Sequence, residues 1–282
     1  MRKGLLLVII ISLSSVFSAH AQSPTITNGF SWLMTNQNPD GSWGLQSNLT
    51  LINTTEVMDT LRYLEYTGTS YTEGVNWVSS YTATSTDDIA RETISLIDAG
   101  ISVSVPINTL TAYMNPDNGW GTGESFSSDT LDTALALSAL KSVNYSNQTT
   151  ISNAILYLVT NQNSDGGWGF YAGDDSNVYM TAMVLQTFDM FASTFNIKNS
   201  TTNIAAYLLA HQNADGGFGS SPSTVYETSL SFLALMGSNT PLAPLFRGET
   251  PLQSAINYIA TTQSADGSWN EDAYSTALKT IS

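Results

Sequence analysis

The feature that most limits how this chain can fold is a phrase it repeats. From Asn153 to Phe170 an amphipathic apolar run ends in Gln162-Asn163, a tight Asp165-Gly166-Gly167 turn follows, and Trp168 comes directly after. The same order recurs from Asn28 to Gly44, from Asn203 to Gly219 and from Ser254 to Trp269, with a shortened copy from Leu110 to Gly121. The aromatics that close these copies are Trp43, Trp120, Trp168, Phe218 and Trp269, and the last three intervals are 48, 50 and 51 residues. The first interval is 77, long enough to hold one more copy that has lost its turn. Self-similarity at a period of this size specifies a repeat architecture built by stacking one supersecondary unit.

Each copy reads as two helices. Ile155, Leu158 and Val159 fall at helical spacing, and Gly166-Gly167 stops the first helix. A second apolar helix follows in every copy. The segments around Thr60, Thr93, Thr133, Thr181, Thr228 and Thr276 align on that threonine, which the pattern places in the first turn of each second helix. The alignment recovers the copy without a glycine turn at Val75 to Ile97, with Trp77 in its first helix. Six hairpins result, at about 24–66, 71–98, 106–143, 150–191, 200–236 and 250–282. The expected fold is all-α, an α/α toroid of six helical hairpins over residues 22–282, with the second helices inside and the last helix cut short. An open superhelix is the alternative.

Residues 1–21 stand apart: Arg2 and Lys3, the apolar run Leu5 to Leu13, then Ala19-His20-Ala21. This is the pattern of a secretory signal peptide cleaved after Ala21, and the run is too short to span a bilayer. The expected location is therefore outside the cytoplasm (extracellular, periplasmic or cell-surface), with no stable membrane insertion once the signal is gone. There is no cysteine, so thiolate nucleophiles and disulfides are excluded. The formal charge is −15; without Arg2 and Lys3 it becomes −17, with six scattered basic residues left. A surface this acidic repels phosphate backbones, which argues against nucleic-acid partners.

The phrase aromatic-aliphatic-x-x-x-Gln, a short spacer, then Gly-x-Trp, has a familiar form. It stands here as Trp32-Leu33 with Gln37 and Trp43, Tyr157-Leu158 with Gln162 and Trp168, and Tyr258-Ile259 with Gln263 and Trp269. Tyr207-Leu208 with Gln212 carries Phe218 in place of Trp, and Trp120 closes the short copy. This resembles the QW motif of the prenyltransferase and squalene-oxidase repeat, shared by squalene–hopene cyclases and protein prenyltransferase β subunits. The resemblance implies the toroid, and implies that these glutamines and aromatics are structural, tying the end of one outer helix to the start of the next inner one. The catalytic parts of that family do not follow. The cyclases use an Asp-x-Asp-Asp acid, and no such string occurs; the prenyltransferases hold zinc with Asp, Cys and His, and the place of the His is taken by Asp132, Met180 or Glu227. No metal and no cofactor are expected.

What remains is an acidic set, Asp59, Glu92, Asp132 and Glu227, aligned one residue before the threonine. Around one mouth of a ring they would offer paired carboxylates for acid–base work, with Asp132 and Glu227 as the candidate catalytic pair, or oxygen ligands for a hard cation. The structural explanation is simpler: an acid in a first turn accepts backbone N–H bonds and meets the helix dipole. Tyr179, Tyr226 and Tyr274 share a register and either line a cavity or belong to the core. The expectation is a secreted, non-catalytic toroid binding an extracellular ligand, glycan or protein. The alternatives are an extracellular enzyme using the acids at the cavity mouth, or a diverged terpene (squalene) cyclase-like enzyme.

Overall fold

The computed structural model describes residues 23–45, 48–103, 105–238 and 250–280. Its helices are α1 (Pro24–Thr35), α2 (Thr50–Tyr63), α3 (Thr69–Ser80), α4 (Thr86–Asp98), α5 (Val105–Ala112), α6 (Thr130–Ser142), α7 (Gln148–Thr160), α8 (Val178–Phe191), α9 (Lys198–Ala210), α10 (Val225–Gly237), α11 (Pro251–Thr261) and α12 (Ala273–Thr280). Among the described residues extended pairing is confined to isolated bridges, so the fold is all-α. None of these helices is long and apolar enough to cross a membrane. The proposed signal, residues 1–21, lies outside the described residues.

Two compact units divide the chain. One runs to Gly74 and includes the stretch from Gln263; it holds α1, α2, the opening of α3, and α12. Here α12 packs on both α1 and α2. Their shared core contains Leu33, Trp43, Val57, Leu61 and Ala277, with Phe30 and Trp32 against its edge. The stretch from Gln263 is thereby seated on the first copy. Gln263 Nε2 donates to Thr25 O at 2.9 Å as well as to Gly267 O at 2.9 Å. A Cβ on Gly29 would lie 2.2 Å from Thr280 Oγ1, so only glycine admits so close an approach.

The other unit, residues 75–262, carries α4 to α11. Its second helices form a row in which α4 packs on α6, α6 on α8 and α8 on α10. The first helices behave differently from a simple hairpin. Each packs chiefly against the second helix of the copy before it: α5 on α4, α7 on α6, α9 on α8 and α11 on α10. The apolar stripe of a first helix is thus satisfied between repeats, and the turn inside a repeat holds its own two helices together by hydrogen bonds.

Those bonds follow one scheme. The closing aromatic donates its backbone N–H to a hydroxyl in the first turns of the following helix: Trp43 to Thr54 at 2.9 Å, Trp120 to Thr133 at 2.9 Å, Trp168 to Thr181 at 3.0 Å, Phe218 to Thr228 at 2.8 Å and Trp269 to Thr276 at 3.1 Å. The indole N–H reaches back to the preceding helix, as from Trp168 to Leu158 O at 2.9 Å. All five rings are 0–1% exposed, so each indole or phenyl is a full core residue. The glutamines correct one expectation. Gln37 reaches Ser70 O, Gln162 Ser200 O, Gln212 Pro251 O and Gln263 Thr25 O. Each ties its turn to the start of the next first helix, not the next second helix, because that is the helix lying beside the turn.

Candidate acidic site

The second helices are capped by their own sequence. Asp129 caps α6 and accepts from Asp132 N at 2.8 Å, Asn177 caps α8 and accepts from Met180 N at 2.9 Å, and Thr224 caps α10 and accepts from Glu227 N at 3.0 Å. In α4 the cap is Ser85, which accepts from Asp88 N at 3.0 Å. The third helical position is therefore held by Asp88, Asp132, Met180 and Glu227.

This moves two of the expected residues. Thr93 lies two turns past its cap and Thr60 farther still along α2, so Glu92 and Asp59 do not share a register with Asp132 and Glu227. Thr54 bonds the aromatic of the first copy, in the role assigned to Thr60. Asp59 is exposed and paired with Arg62 at 2.8 Å. Glu92 stands one turn after Asp88, and its carboxyl is pushed up by burial and then by the charge of Asp88. Burial, followed by the charges of Asp88 and Glu92, also raises the nearby Tyr81 hydroxyl.

Asp132 belongs to a different group of carboxyls. The start of α4 is bound to the loop before α6: Thr86 N donates to Thr122 O at 2.8 Å and Thr86 Oγ1 to Gly121 O at 2.6 Å. That brings Asp87, held in an ion pair with Arg91, toward Asp129 and Asp132. Asp129 is 1% exposed and Asp132 4%. Burial, then the charge of Asp129 and the hydrogen bond to it, push the Asp132 carboxyl up to about 8, with Asp87 adding to the rise and Thr122 opposing it. Asp129 is also raised, by burial, while the backbone bonds it accepts pull it back. Asp129 Oδ2 is buried and accepts no hydrogen bond among the described residues. A protonated Asp132 supplies a donor. One proton between the two carboxyls is the expected arrangement when like charges are buried together.

Glu227 stands apart from this pair. Its Oε2 accepts from Thr224 Oγ1 at 2.8 Å, and α8 with Met180 lies between α10 and α6 in the row. Asp132 and Glu227 are not brought together as a catalytic pair. Tyr179 and Tyr226 do meet, with ring centroids 5.1 Å apart at the second position of α8 and α10. Leu131 holds that position in α6 and Asp87 in α4. Tyr274 has the same place in α12, within the other unit, and is half-buried. Among the described residues no cluster of three or more His, Cys, Asp or Glu could hold a metal ion.

Asp129 and Asp87 were missed as site residues, although the cap-to-third-position spacing of Asp129-Thr130-Leu131-Asp132 is visible in the sequence. The same four residues keep the first and last places of the Asp-x-Asp-Asp pattern and put Leu131 in the third.

Comparison with known proteins bears on these same helices. No curated protein matches the chain by sequence. Among solved structures, a variant of the type II terpene cyclase MstE from Scytonema, in complex with geranylgeranyl dihydroxybenzoate, superposes with TM-score 0.73 at 13% identity, covering 95% of this chain and 97% of the other. The apo form of that enzyme gives 0.70 at 16%, covering 87% and 80%. The ent-copalyl diphosphate synthase from Streptomyces platensis gives 0.61 at 18%, covering 82% of this chain and 50% of the synthase, so the chain spans half its length. These likenesses identify the fold class as the α/α toroid of the terpene cyclases. The model of the squalene-hopene cyclase C-terminal domain matches residues 130–278, just over half of the sequence. This chain belongs to the squalene-hopene cyclase C-terminal domain family.

Proposed function

We propose that the protein is a diverged terpene-cyclase-like protein whose substrate is a polyprenyl chain and whose proton donor is the Asp129–Asp132 pair. The observation that carries this reading is the buried carboxyl pair at the start of α6, with one oxygen of Asp129 left for a proton on Asp132. A carboxyl kept neutral at pH 7 by its surroundings is the form of acid that can protonate an alkene. Asp129 would hold that proton in place, and Asp87 and Thr122 would set how readily it leaves. The family and the fold support the substrate class; Leu131 in the third place of the acid pattern is the departure.

The test is incubation of the purified protein with squalene and with geranylgeranyl-bearing phenols, with products read by gas chromatography and mass spectrometry. Cyclised product that disappears in Asp132→Asn supports the proposal. Product formation unchanged in Asp132→Asn overturns it. A second reading, a secreted non-catalytic binder, is favoured by Leu131 and by the 4% exposure of Asp132. It expects saturable binding of a polyprenyl chain or other extracellular ligand without turnover, and expects Leu131→Asp to gain activity if only the third carboxyl is missing. Export is part of both readings. An N-terminus at Gln22 in protein recovered from the producing cells' exterior checks it, and retention of Met1 would refute it.

A further inference from the structure

A second candidate site lies in the same unit, beside the acid pair: Ser128, in its lining, directly precedes Asp129. A groove of about 850 Å³ runs between the turn and loop residues 115–128, the end of α7, and residues 171–172. Two aromatic rings stand exposed along it, Phe126 at 61% and Tyr171 at 48%. Neither is loosely held. Phe126 O accepts from Asn115 Nδ2 at 2.8 Å, and its own N–H donates to Gly123 O at 3.1 Å. The Tyr171 ring meets Phe170 edge-on with centroids 4.8 Å apart, and its N–H donates to Asp174 Oδ2 at 2.9 Å. Leaving two large rings in water on pinned backbone forfeits the stabilisation their burial would give, and paired exposed apolar groups of this kind mark binding surfaces.

The rest of the lining selects the ligand's chemistry. Asn115 donates its amide N–H groups to Phe126 O and Ser128 Oγ, and Asn161 donates one to Tyr157 O, so the side-chain oxygens are the acceptor ends left to a ligand. Asp117 Oδ1 is taken by Gly119 N and Ser128 Oγ, leaving Oδ2. No lysine, arginine or histidine lines the groove. On a chain of formal charge −15 this surface repels anions and offers nothing that pairs with a phosphate or carboxylate. A ligand that suits it has many hydroxyl donors, apolar C–H faces to lay on aromatic rings, and no charge.

We infer that this groove binds a neutral oligosaccharide, its sugar faces on Phe126 and Tyr171 and its hydroxyls on Asn115, Asp117 and Asn161. The site is independent of the polyprenyl reading and shares no residue with the acid pair.

The test is isothermal titration calorimetry of the whole protein with cellohexaose, mannohexaose and chitohexaose, using a polygalacturonate oligomer as the charged control. Binding of at least one neutral hexasaccharide is expected, weakened about tenfold by Phe126→Ala and about tenfold by Tyr171→Ala. Both side chains are exposed, so folding is checked by circular dichroism and is expected to be unchanged. The inference is overturned if none of the neutral probes binds at about 10 mM. It is equally overturned if the double variant binds within about twofold of the parent, or if the charged oligomer binds better than the neutral ones.

Discussion

The proton shared by Asp129 and Asp132 has a consequence for stability that does not depend on any substrate. In the unfolded chain an aspartate titrates near 3.8, and in the folded protein Asp132 titrates at about 8. Between those pH values the folded state binds the extra proton, so stability is full below about pH 4 and is lost as pH rises through 8. A displacement of that size corresponds to roughly 6 kcal/mol, and because part of it is the charge of Asp129, about 3 kcal/mol is expected for Asp132 alone. Asp132→Asn keeps a donor toward Asp129 Oδ2 and removes the titration. The variant is therefore expected to match the parent near pH 4.5 and to exceed it by about 3 kcal/mol near pH 8.5, some 6–12 °C in Tm. Urea midpoints followed by tryptophan fluorescence at several pH values give the difference curve. Asp88, Glu92 and Asp189, the last raised to about 6 by burial, slope the same way but are common to both proteins and cancel. Parallel curves for parent and variant would refute the shared proton.

Lys279 slopes the opposite way. It is 1% exposed, its Nζ has no hydrogen-bond partner among the described residues, and burial lowers it to about 7 against a partial pull from Asp272. A depressed lysine costs stability below about pH 7 and releases that cost as pH rises to 10.5; Lys279→Met should therefore stabilise by several kcal/mol near pH 6 and by little above about pH 10, measured by the same midpoints. Trp168→Phe copies the residue that Phe218 already represents in the next repeat and loses mainly the bond to Leu158 O, so about 1–2 kcal/mol is expected, against about 3–5 for Trp168→Ala. Equal losses in the two variants would show that the ring's volume is not what the site needs.

The scaffold was legible because its demands are local and repeated. The turn needs a residue that accepts positive φ, and where it crosses a carbonyl a glycine fits best: at Gly166, with φ 91°, a Cβ would fall 2.6 Å from Asn203 O, whereas the third copy carries Asn118 at φ 70°. The turn aspartates Asp40, Asp117, Asp165, Asp215 and Asp266 each accept the N–H two residues on, which is what their place in the phrase requires. The register of the second helices was legible only where the aromatic's N–H demands a threonine hydroxyl. In the second copy that turn is gone, and in the first a threonine run offers rival partners, so Thr93 and Thr60 were aligned in place of the positions their caps define. The acid site was half legible. Asp132 stands out by alignment, but its partners come from a cap and from the start of a neighbouring helix, and only packing of α4 on α6 puts Asp87 near them. The packing of each first helix on the preceding copy was not legible at all, since periodicity shows that a face is apolar and not what will cover it.

The seating of the last turn on the first helix also sets an order of events during synthesis. The chief packing partner of α1 is α12, and the bond from Gln263 to Thr25 spans 238 residues. Helices in the middle of the chain can settle against neighbours that have just left the ribosome, whereas the earliest helix must wait, its apolar face uncovered, for one of the latest. A nascent chain stalled before Gln263 would thus expose Leu33 and Phe30 to chaperones and to other chains, and emergence of the stretch from Gln263 to Thr280 should be the moment at which that exposure ends.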